Sequence, residues 1–380
     1  MLEFVRKNIF AIIFSFMVLA MFTGYLFAKG GEFSSTENRY LARRPEITLS
    51  GILDGSFMKS FELYTEEQLP LRDTLVRLKA ISGELMLKNE NNGIARGDRG
   101  YLFEKLVSTS GQLGKNKAAI RNFAGQTDRD ISLCIVPNSY EILSRDTPAG
   151  FPNVSQKAEI DDFYSELSSY GNVSTVSVYE TLKENSEKYI YYRTDHHWTT
   201  QGAYLGYCRL CEAMGLTPWK EPENLESDRL RTVDGFYGTY HSKYRGMLGG
   251  FPDTLSYYDI PVISYETGGN TYHDLYDLDK LDTYDKYAMF MYGNEGMSIV
   301  ESERGGAAKK RSELIIFKDS YANCLIPFFT YNYDRLIVID LRYYPESVNE
   351  LLDKNKDADI LLIYNFMHFN DDNHFYRLTS

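Results

Sequence analysis

Long apolar segments and basic charge are both scarce in this 380-residue sequence. Beyond residue 28, no second apolar run reaches the roughly 20 residues that a helix needs to cross a bilayer, which excludes a multispanning membrane protein. Acidic side chains exceed basic ones, and the formal net charge is -12 at pH 7. Because nucleic acids and anionic lipids are bound by basic surfaces, this charge disfavours both as partners.

Cysteine is scarce too, with only Cys134, Cys208, Cys211 and Cys324. Cys208 and Cys211 form a single C-x-x-C motif, and no second motif completes a zinc site. The helical pattern around them predicts small apolar residues on a buried face. Internal repeats, low-complexity tracts and an acetyl-coenzyme A motif are also missing. Aromatic residues are abundant, with 31 Tyr and 22 Phe, which favours a sizeable core over disorder.

The one long apolar run covers residues 9–28 and is preceded by Arg6, Lys7 and Asn8. Twenty helical residues span about 30 Å, the thickness of the hydrocarbon core. A cleaved signal peptide has a shorter core and a small residue three positions before the cut, where Leu26 stands. We therefore expect an uncleaved signal anchor over residues 1–28, giving a single-pass protein of the cell membrane with its bulk outside the cytoplasm.

The rest of the chain divides into a linker and a large domain. We expect residues 29–95 to be a polar stalk followed by a helical linker, because apolar residues recur every three or four positions over residues 53–88. Residues 96–380 are expected to form the catalytic domain. Within it, residues 220–310 are rich in Tyr, Asp and Gly with weak periodicity, and they predict an irregular insertion that rims the site.

Short apolar runs alternate with helical patterns in the large domain. Strands are predicted at residues 132–136, 173–178, 313–317, 335–339 and 359–364, and helices at 202–214, 322–331 and 345–354. This alternation predicts an α/β fold with a doubly wound, mostly parallel sheet. The strand at 173–178 alternates Val with Ser and Thr, which places it nearer a sheet edge.

A first cluster of reactive side chains is Asp195-His196-His197-Trp198, just before a helix whose N-cap is Thr199 or Thr200. In an extended segment, residues two apart project alike, so Asp195 can orient His197 while His196 points elsewhere. Two alternatives remain. Asp195 could cap the helix beside solvated histidines, or Asp195 and a histidine could bind a metal, with His241 as a further ligand.

The second cluster is Asp319-Ser320, where a buried strand gives way to a helix. Sites in open α/β sheets lie at the carboxyl ends of strands, and a helix N-terminus can stabilise an oxyanion. A serine nucleophile needs a base, and the base needs an acid to orient it. We therefore predict Ser320 as nucleophile, His197 as base and Asp195 as its orienting acid; a plain N-cap role for Ser320 is the alternative.

These motifs together resemble a known group. Asp-x-His-Trp before a helix, followed by Asp-Ser at a strand end, is similar to the SGNH-hydrolase-like domains of alginate O-acetylation proteins. Asp195-His196-His197-Trp198 resembles the signature of the DHHW protein family of bacterial envelope proteins. The resemblance runs from about residue 35 to the end of the chain. Further matching segments are Glu37-Asn38-Arg39, Pro45, Gly100-Tyr101-Leu102-Phe103, Phe236, Gly238-Thr239, Gly293-Asn294 and Lys318-Asp319-Ser320-Tyr321-Ala322-Asn323.

The resemblance implies an SGNH-hydrolase-like fold with a rotated motif order, because the Asp and His come before Ser320. It implies an oxyanion donor at Asn365, after the second following strand, although a turn-capping asparagine is the alternative. Arg342 and Lys318 stand where the family pattern has glycine. His196, Trp198 and Arg342 are further candidates for lining or supporting the site.

The function implied is extracytoplasmic, serine-dependent O-acetyl transfer to, or removal from, a cell-envelope polysaccharide or exopolysaccharide, with no cofactor and no metal. A membrane-bound O-acyltransferase is the implied partner. The competing hypothesis is a non-catalytic cell-envelope assembly or polysaccharide-binding protein. The intact set of Asp195, His197 and Ser320 argues against it.

Overall fold

A computed structural model describes residues 2–27, 30–34, 39–220, 229–302 and 311–380. Two compact units are present. The first is Met1–Asn91 with Arg245–Met247, and the second is Asn92–Tyr244 with Leu248–Ser380. Glu37 and Asn38 of the matching segments, and parts of the predicted insertion, lie outside the described residues.

The helices and strands of the described residues have the following bounds. The helices are α1 Leu2–Phe27, α2 Leu49–Leu53, α3 Ser56–Glu67, α4 Arg72–Leu85, α5 Gly111–Gln126, α6 Ser139–Ile142, α7 Gln156–Leu167, α8 Tyr179–Glu184, α9 Thr200–Ala213, α10 Thr239–Tyr244, α11 Ile326–Phe329, α12 Val348–Lys354 and α13 Phe366–Asp371. The strands are β1 Phe33–Ser34, β2 Arg39–Tyr40, β3 Glu90–Asn91, β4 Ile94–Arg96, β5 Leu102–Glu104, β6 Ile131–Val136, β7 Val173–Thr175, β8 Leu230–Phe236, β9 Asp253–Tyr258, β10 Ser264–Thr267, β11 Asn270–Tyr272, β12 Met297–Glu301, β13 Arg311–Lys318, β14 Tyr333–Ile339 and β15 Asp359–Asn365.

The first unit is mainly helical. Its α1, which contains the apolar segment Arg6–Tyr25, is the one helix of the described residues long and apolar enough to cross a membrane. The periodicity of residues 53–88 corresponds to α3 and α4. Both of these helices keep only one residue fully buried, so their apolar side chains do not form an internal core.

The second unit is built on an eight-stranded sheet in the order β11-β10-β12-β14-β13-β15-β6-β7. The five strands from β14 to β7 are parallel, and all five were predicted, four from apolar runs and β7 from an alternating pattern. The strand at residues 173–175 is at the edge, as its alternating pattern indicated. These strands pack into one continuous hydrophobic core with the surrounding helices.

The sheet is mixed, because β10, β11 and β12 join its five parallel strands antiparallel beside β14. One expectation about it needs correction. These three strands come from residues 220–310, which the sequence predicted to be irregular. In them, buried residues such as Tyr265 and Val300 alternate with polar ones over only three to five positions. Strands of three to five residues contain too few repeats for the alternation of buried and polar residues to be recognised in the sequence.

The segment after β13 also differs from the prediction. A helix was expected at residues 322–331, but the chain forms a 3₁₀ turn, Ser320–Cys324, and then the four-residue α11. The carboxylate of Asp319 caps the turn, and Pro327 stands in the first turn of α11. The segment before α9 agrees with the prediction, because the Thr199 hydroxyl accepts from the Gly202 N–H as N-cap.

The register of the parallel strands aligns their carboxyl ends. Lys318 pairs with Ile363 on β15, and Phe317 pairs with Ile339 on β14. Ser320 follows the end of β13 by two residues, Asn365 is the last residue of β15, and Arg342 follows the end of β14 by three residues. The residues singled out in the sequence therefore meet at one edge of the sheet.

Candidate active site

Ser320 lies in the tight turn at the end of β13. The carboxylate of Asp319 accepts hydrogen bonds from the Tyr321 N–H at 2.9 Å and from the Asn365 N–H at 2.8 Å. Asp319 therefore fixes the turn and ties the end of β13 to the end of β15. The N-cap of the turn is Asp319 rather than Ser320, so the serine hydroxyl is not used as a cap.

A chain of short contacts joins three of the predicted residues. Nδ1 of His197 lies 2.6 Å from Oδ1 of Asp195, and Nε2 of His197 lies 2.9 Å from Oγ of Ser320. Asp195 and His197 are both buried. A buried carboxylate on one ring nitrogen and a hydroxyl on the other is the arrangement that activates a serine in acyl-transfer enzymes.

The Asp195 carboxylate is held by the backbone as well as by His197. Its Oδ2 accepts from the Thr239 N–H at 2.8 Å, and its Oδ1 from the His197 N–H at 3.0 Å. Gly238 leaves room for this approach, because a Cβ at that position would lie 2.2 Å from the Cβ of Asp195. Burial opposes ionisation of Asp195, but the neighbouring histidines and these hydrogen bonds outweigh it and lower its pKa.

His196 does not point away from the site, contrary to the expectation. Its ring centroid is 3.8 Å from that of His197, and its Nδ1 is 3.7 Å from Oδ1 of Asp195. The segment is bent rather than extended, because the Asp195 carboxylate accepts the His197 N–H two residues ahead. Burial and repulsion from His197 lower the pKa of His196 to about 4, so its imidazole is neutral near pH 7.

The metal alternative can be compared with this geometry. Asp195, His196 and His197 offer ligand atoms within 4.8 Å of one another, the one such group in the described part of the chain. His241, the further ligand considered, instead has its Nδ1 3.4 Å from the Tyr284 hydroxyl and its ring against Tyr237. Within the group, Nδ1 of His197 and Oδ1 of Asp195 are 2.6 Å apart, which is a hydrogen-bond distance.

Trp198 and Tyr321 join the two halves of the site. The indole N–H of Trp198, which is completely buried, donates to the Tyr321 carbonyl at 2.8 Å. The Tyr321 hydroxyl donates back to the His196 carbonyl at 2.7 Å. These two reciprocal bonds fix the distance between the histidine segment and the serine turn, so Trp198 supports the site without contacting Ser320 through its polar atom.

Tyr287 is a site residue that the sequence reasoning missed. Its ring lies 3.7 Å from the His197 ring at an interplanar angle of 10°, and its hydroxyl donates to the Ser320 carbonyl at 3.0 Å. It comes from the segment Lys286–Met289 of the predicted irregular insertion. No local motif marks it among the 31 tyrosines.

Asp253 is a second missed residue. This buried carboxylate accepts from the Arg193 N–H and the Thr194 N–H, both at 2.8 Å, and from the Thr194 hydroxyl at 2.5 Å. Burial raises its pKa, against the effect of these hydrogen bonds. Asp253 thereby holds the segment that leads into Asp195. The contact joins residues about 60 positions apart, and no sequence pattern indicates it.

Asn365 occupies the carboxyl end of β15, where the sequence placed it. Its Oδ1 accepts from the Met367 N–H at 3.0 Å and caps α13, and its Nδ2 donates to the Val136 carbonyl at 3.2 Å. The amide oxygen of Asn365 therefore has the capping role that was the alternative prediction from the sequence. An amide nitrogen carries two hydrogens, so one remains beyond the bond to Val136.

Arg342 and Lys318 belong to a buried polar cluster beside the serine turn. Arg342 binds Asp340 through two nitrogens, at 2.9 and 2.6 Å. The Lys318 ammonium donates to Asn294 at 2.7 Å and to Asn323 at 2.8 Å. Burial lowers the pKa of Lys318 to about 8, although the nearby Asp340 opposes this. The cluster connects the ends of β13 and β14.

The four cysteines lie in the described part of the chain and are free. Cys211 is buried on α9 and Cys208 is half-buried against the core, in agreement with the predicted helix face. Burial raises the pKa of Cys211 to about 12. A thiol of such high pKa is a poor nucleophile and a poor metal ligand near neutral pH.

Comparisons with known proteins agree with the motifs. The family model described as DHHW protein matches residues 96–339, and no curated protein sequence matches significantly. A DHHW family protein from Eubacterium siraeum DSM 15702 is similar, with a TM-score of 0.63 and 23% identity, covering 77% of this chain and 97% of that one. Bacillus cereus PatB1 with a sulfonyl adduct has a TM-score of 0.58 and 18% identity, covering 76% and 98%.

The O-acetyltransferase domain of Pseudomonas putida AlgJ is also similar, with a TM-score of 0.44 and 16% identity, covering 74% of this chain and 93% of that one. The likenesses to the Eubacterium siraeum protein and to PatB1 show a shared α/β fold with a mixed sheet. The family model spans more than half of the sequence and includes the histidine segment and Ser320. The chain therefore belongs to the DHHW protein family.

Proposed function

We propose that this chain is a serine-dependent acyl-transfer enzyme with Ser320 as nucleophile, His197 as general base and Asp195 as the acid that orients the base. One observation carries the proposal. The contacts from Asp195 to His197, at 2.6 Å, and from His197 to Ser320, at 2.9 Å, form one unbroken chain. Each contact is within the distance that proton transfer requires.

The reaction proceeds in two displacements. Oγ of Ser320 attacks the ester carbonyl of the donor while Nε2 of His197 takes the hydroxyl proton. The tetrahedral intermediate collapses, the donor alcohol leaves with the proton from His197, and an acyl-serine remains. An acceptor hydroxyl then attacks this acyl group, gives its proton to His197 and restores the Ser320 hydroxyl. Asp195 stays ionised and stabilises the imidazolium at both steps, consistent with its lowered pKa.

The oxyanion needs donors on the side of the carbonyl opposite His197. We propose the second amide hydrogen of Asn365 as one donor. Asn365 ends β15, which pairs with β13 in parallel, and the carboxylate of Asp319, the residue before Ser320, accepts the Asn365 N–H at 2.8 Å. This assignment keeps the rotated motif order that the resemblance implies, in which Asp195 and His197 come before Ser320 and Asn365 in the chain.

The shared motifs imply that the acyl group is acetyl and that the acceptor is a hydroxyl of an extracytoplasmic polysaccharide. With a sugar hydroxyl as acceptor the enzyme is an O-acetyltransferase, and with water it is an acetylesterase. Helix α1 supports anchoring in the cell membrane, with the second unit outside the cytoplasm. A membrane-bound O-acyltransferase partner would deliver acetyl groups to that side.

A sulfonyl fluoride tests the nucleophile directly, and the sulfonyl adduct of PatB1 makes this reagent class the suitable choice. We expect phenylmethanesulfonyl fluoride to modify Ser320 of the purified full-length protein, with fluoride as the leaving group. Peptide mass spectrometry locates the adduct. Ser302, a buried serine outside the site, is the internal control and should stay unmodified.

Two variants complete the test with an activated acetyl ester as substrate. Ser320→Ala and His197→Ala should each abolish hydrolysis, and the double variant should resemble either single one, because members of a triad act as a unit. A folded Ser320→Ala variant that retains most of the wild-type rate would exclude the serine mechanism. A non-catalytic binding protein would give neither the adduct nor the hydrolysis.

A further inference from the structure

Helix α4 of the first unit exposes its leucines rather than burying them. Leu75, Leu78 and Leu85 recur every three to seven positions and are 41–75% exposed. At 100° per residue these positions fall within one stripe along the helix. A soluble helix of this pattern normally turns such a stripe toward its core, and a contiguous exposed stripe marks an interaction surface.

The opposite face of α4 is already occupied. Ala80, half a turn from the leucines, is its one fully buried residue. On the same side the Asp73 carboxylate binds Arg245 at 3.2 Å, and the Glu84 carboxylate accepts from the Met247 N–H at 2.8 Å. The helix is therefore anchored within its unit by its polar face, and the leucine stripe is the face left available.

Two more exposed leucines stand at the two ends of the helix. Leu71 and Leu87 are 75% and 89% exposed, and both have a φ of +60°. Glycine or asparagine is the usual occupant of this left-handed conformation, and a bulky leucine adopts it at a cost. An exposed leucine in this left-handed conformation is explained if its side chain contacts a binding partner.

The corner before α4 is joined to the end of the apolar helix α1. Gln68 donates to the carbonyls of Gly31 and Ala42 at 2.9 and 3.1 Å, and accepts from the Gly31 N–H at 2.9 Å. Pro70 packs against the last turn of α1, where a Cβ built on Gly24 would lie 3.5 Å from its Cγ. Helix α4 therefore starts where the membrane-crossing segment ends.

We propose that the leucine stripe, defined as Leu75, Leu78 and Leu85, docks on the outer surface of the lipid bilayer, together with the exposed Leu71 and Leu87 at the helix ends. The position of the stripe favours lipid as its binding partner, because the corner at Pro70 is held at the end of the segment Arg6–Tyr25. An interfacial helix of this kind buries its apolar side chains at the headgroup boundary.

The charges of α4 agree with an apolar rather than an electrostatic contact. Arg72 and Lys79 flank the stripe on one side, while Arg77 lies with Asp73 and Glu84 on the opposite side of the helix. Long basic side chains beside an apolar stripe can reach the headgroups with their charged ends. The inference rests on the anchoring by α1 that belongs to the proposed function, and not on the proposed chemistry.

The test uses the full-length chain in phosphatidylcholine vesicles. Cys208→Ser removes the half-buried cysteine, and an environment-sensitive fluorophore is attached at Leu78→Cys or, as the matched control, at Arg77→Cys. We expect the label at position 78 to be quenched strongly by doxyl-labelled lipid and weakly by aqueous iodide. The label at position 77 should show the reverse order.

Flotation of the vesicles separates the possible failures. A chain that does not float with the vesicles overturns the anchoring, and this inference with it. A chain that floats but shows equal iodide quenching at both positions overturns the docking alone. Protection of position 78 from both quenchers, with disulfide cross-linking between Leu78→Cys copies, would assign the stripe to a second copy of the chain and also overturn the lipid proposal.

Discussion

The ring of Tyr287 stacks on the ring of His197 with a centroid distance of 3.7 Å and an interplanar angle of 10°. The same residue donates from its hydroxyl to the Ser320 carbonyl at 3.0 Å. One side chain therefore holds both the plane of the base and the turn of the nucleophile. A ring stacked on a histidine fixes its rotamer, and its π face favours the imidazolium that forms during acyl transfer.

The two contacts of Tyr287 can be removed separately. Tyr287→Phe keeps the ring and loses the hydroxyl, so we expect kcat to fall by less than about tenfold, a barrier change under about 1.4 kcal/mol. Tyr287→Leu loses the stacked ring as well, and we expect a clearly larger fall in kcat. Hydrolysis of an acetyl ester gives the rates, and thermal unfolding of each variant shows that it is folded. Equal rates for the two variants would mean that the stacking has no part in the reaction.

The two adjacent histidines should differ greatly in their effect on the rate. His197 contacts both Asp195 and Ser320, whereas His196 contacts His197 through a tilted ring pair at an interplanar angle of 36°. Loss of a general base costs about 10²–10⁴-fold, so His197→Ala should be nearly inactive. His196→Ala should keep activity within about tenfold, or about 1.4 kcal/mol. The opposite order, with His196→Ala inactive and His197→Ala active, would reverse the assignment of the base.

His196 should also make the stability of the fold depend on pH. Its pKa is about 4 in the folded chain and near 6.5 in the unfolded chain, so the unfolded state binds the proton more tightly. Stability therefore falls as the pH decreases from about 6.5 toward 4. A third of the side chain is exposed, and solvent screening reduces the size of the effect.

The measurement compares urea midpoints at pH 7 and pH 5. His196→Gln should lose less stability between these values than the wild type, because glutamine cannot take up a proton. His273→Gln, at an exposed histidine, is the matched control and should follow the wild type. If His196→Gln loses as much stability between pH 7 and pH 5 as the wild type, the lowered pKa of His196 does not contribute to the pH dependence of stability.

The sequence indicated the parallel strands and the reactive residues for a physical reason. Parallel strands buried on both faces are continuous apolar runs, and two of them lead to Ser320, two residues after β13, and to Asn365, the last residue of β15. The antiparallel strands were missed because β10, β11 and β12 are short and mix Ser, Thr and Glu with their buried residues. Local patterns predict an element only where its length and burial make the periodicity visible.

The supporting contacts of the site were beyond sequence reasoning for a different reason. Tyr287 and Asp253 reach the histidine segment from the insertion, through long-range packing that no local motif records. The orientation of His196 was wrong because an extended backbone was assumed. The carboxylate of Asp195 bonds the His197 N–H, and this single side-chain contact bends the segment.

Asn365 offers a way to separate a structural role from an oxyanion role. Its Oδ1 caps α13, and its Nδ2 has one hydrogen beyond the bond to Val136. Serine is a good N-cap but has no amide donor, so Asn365→Ser should keep the cap. If the amide stabilises the oxyanion, kcat should fall by about 10²–10³ while the unfolding temperature changes little.

Asn365→Ala is the control for that comparison. It removes the cap and the donor together, so it should lose about 1 kcal/mol of stability in addition to the same loss of kcat. Thermal unfolding and ester hydrolysis on the same preparations distinguish the two effects. The decisive variant is Asn365→Ser, because the cap survives in it. Near wild-type kcat in Asn365→Ser would leave Asn365 as a helix cap and assign the oxyanion to donors of the serine turn.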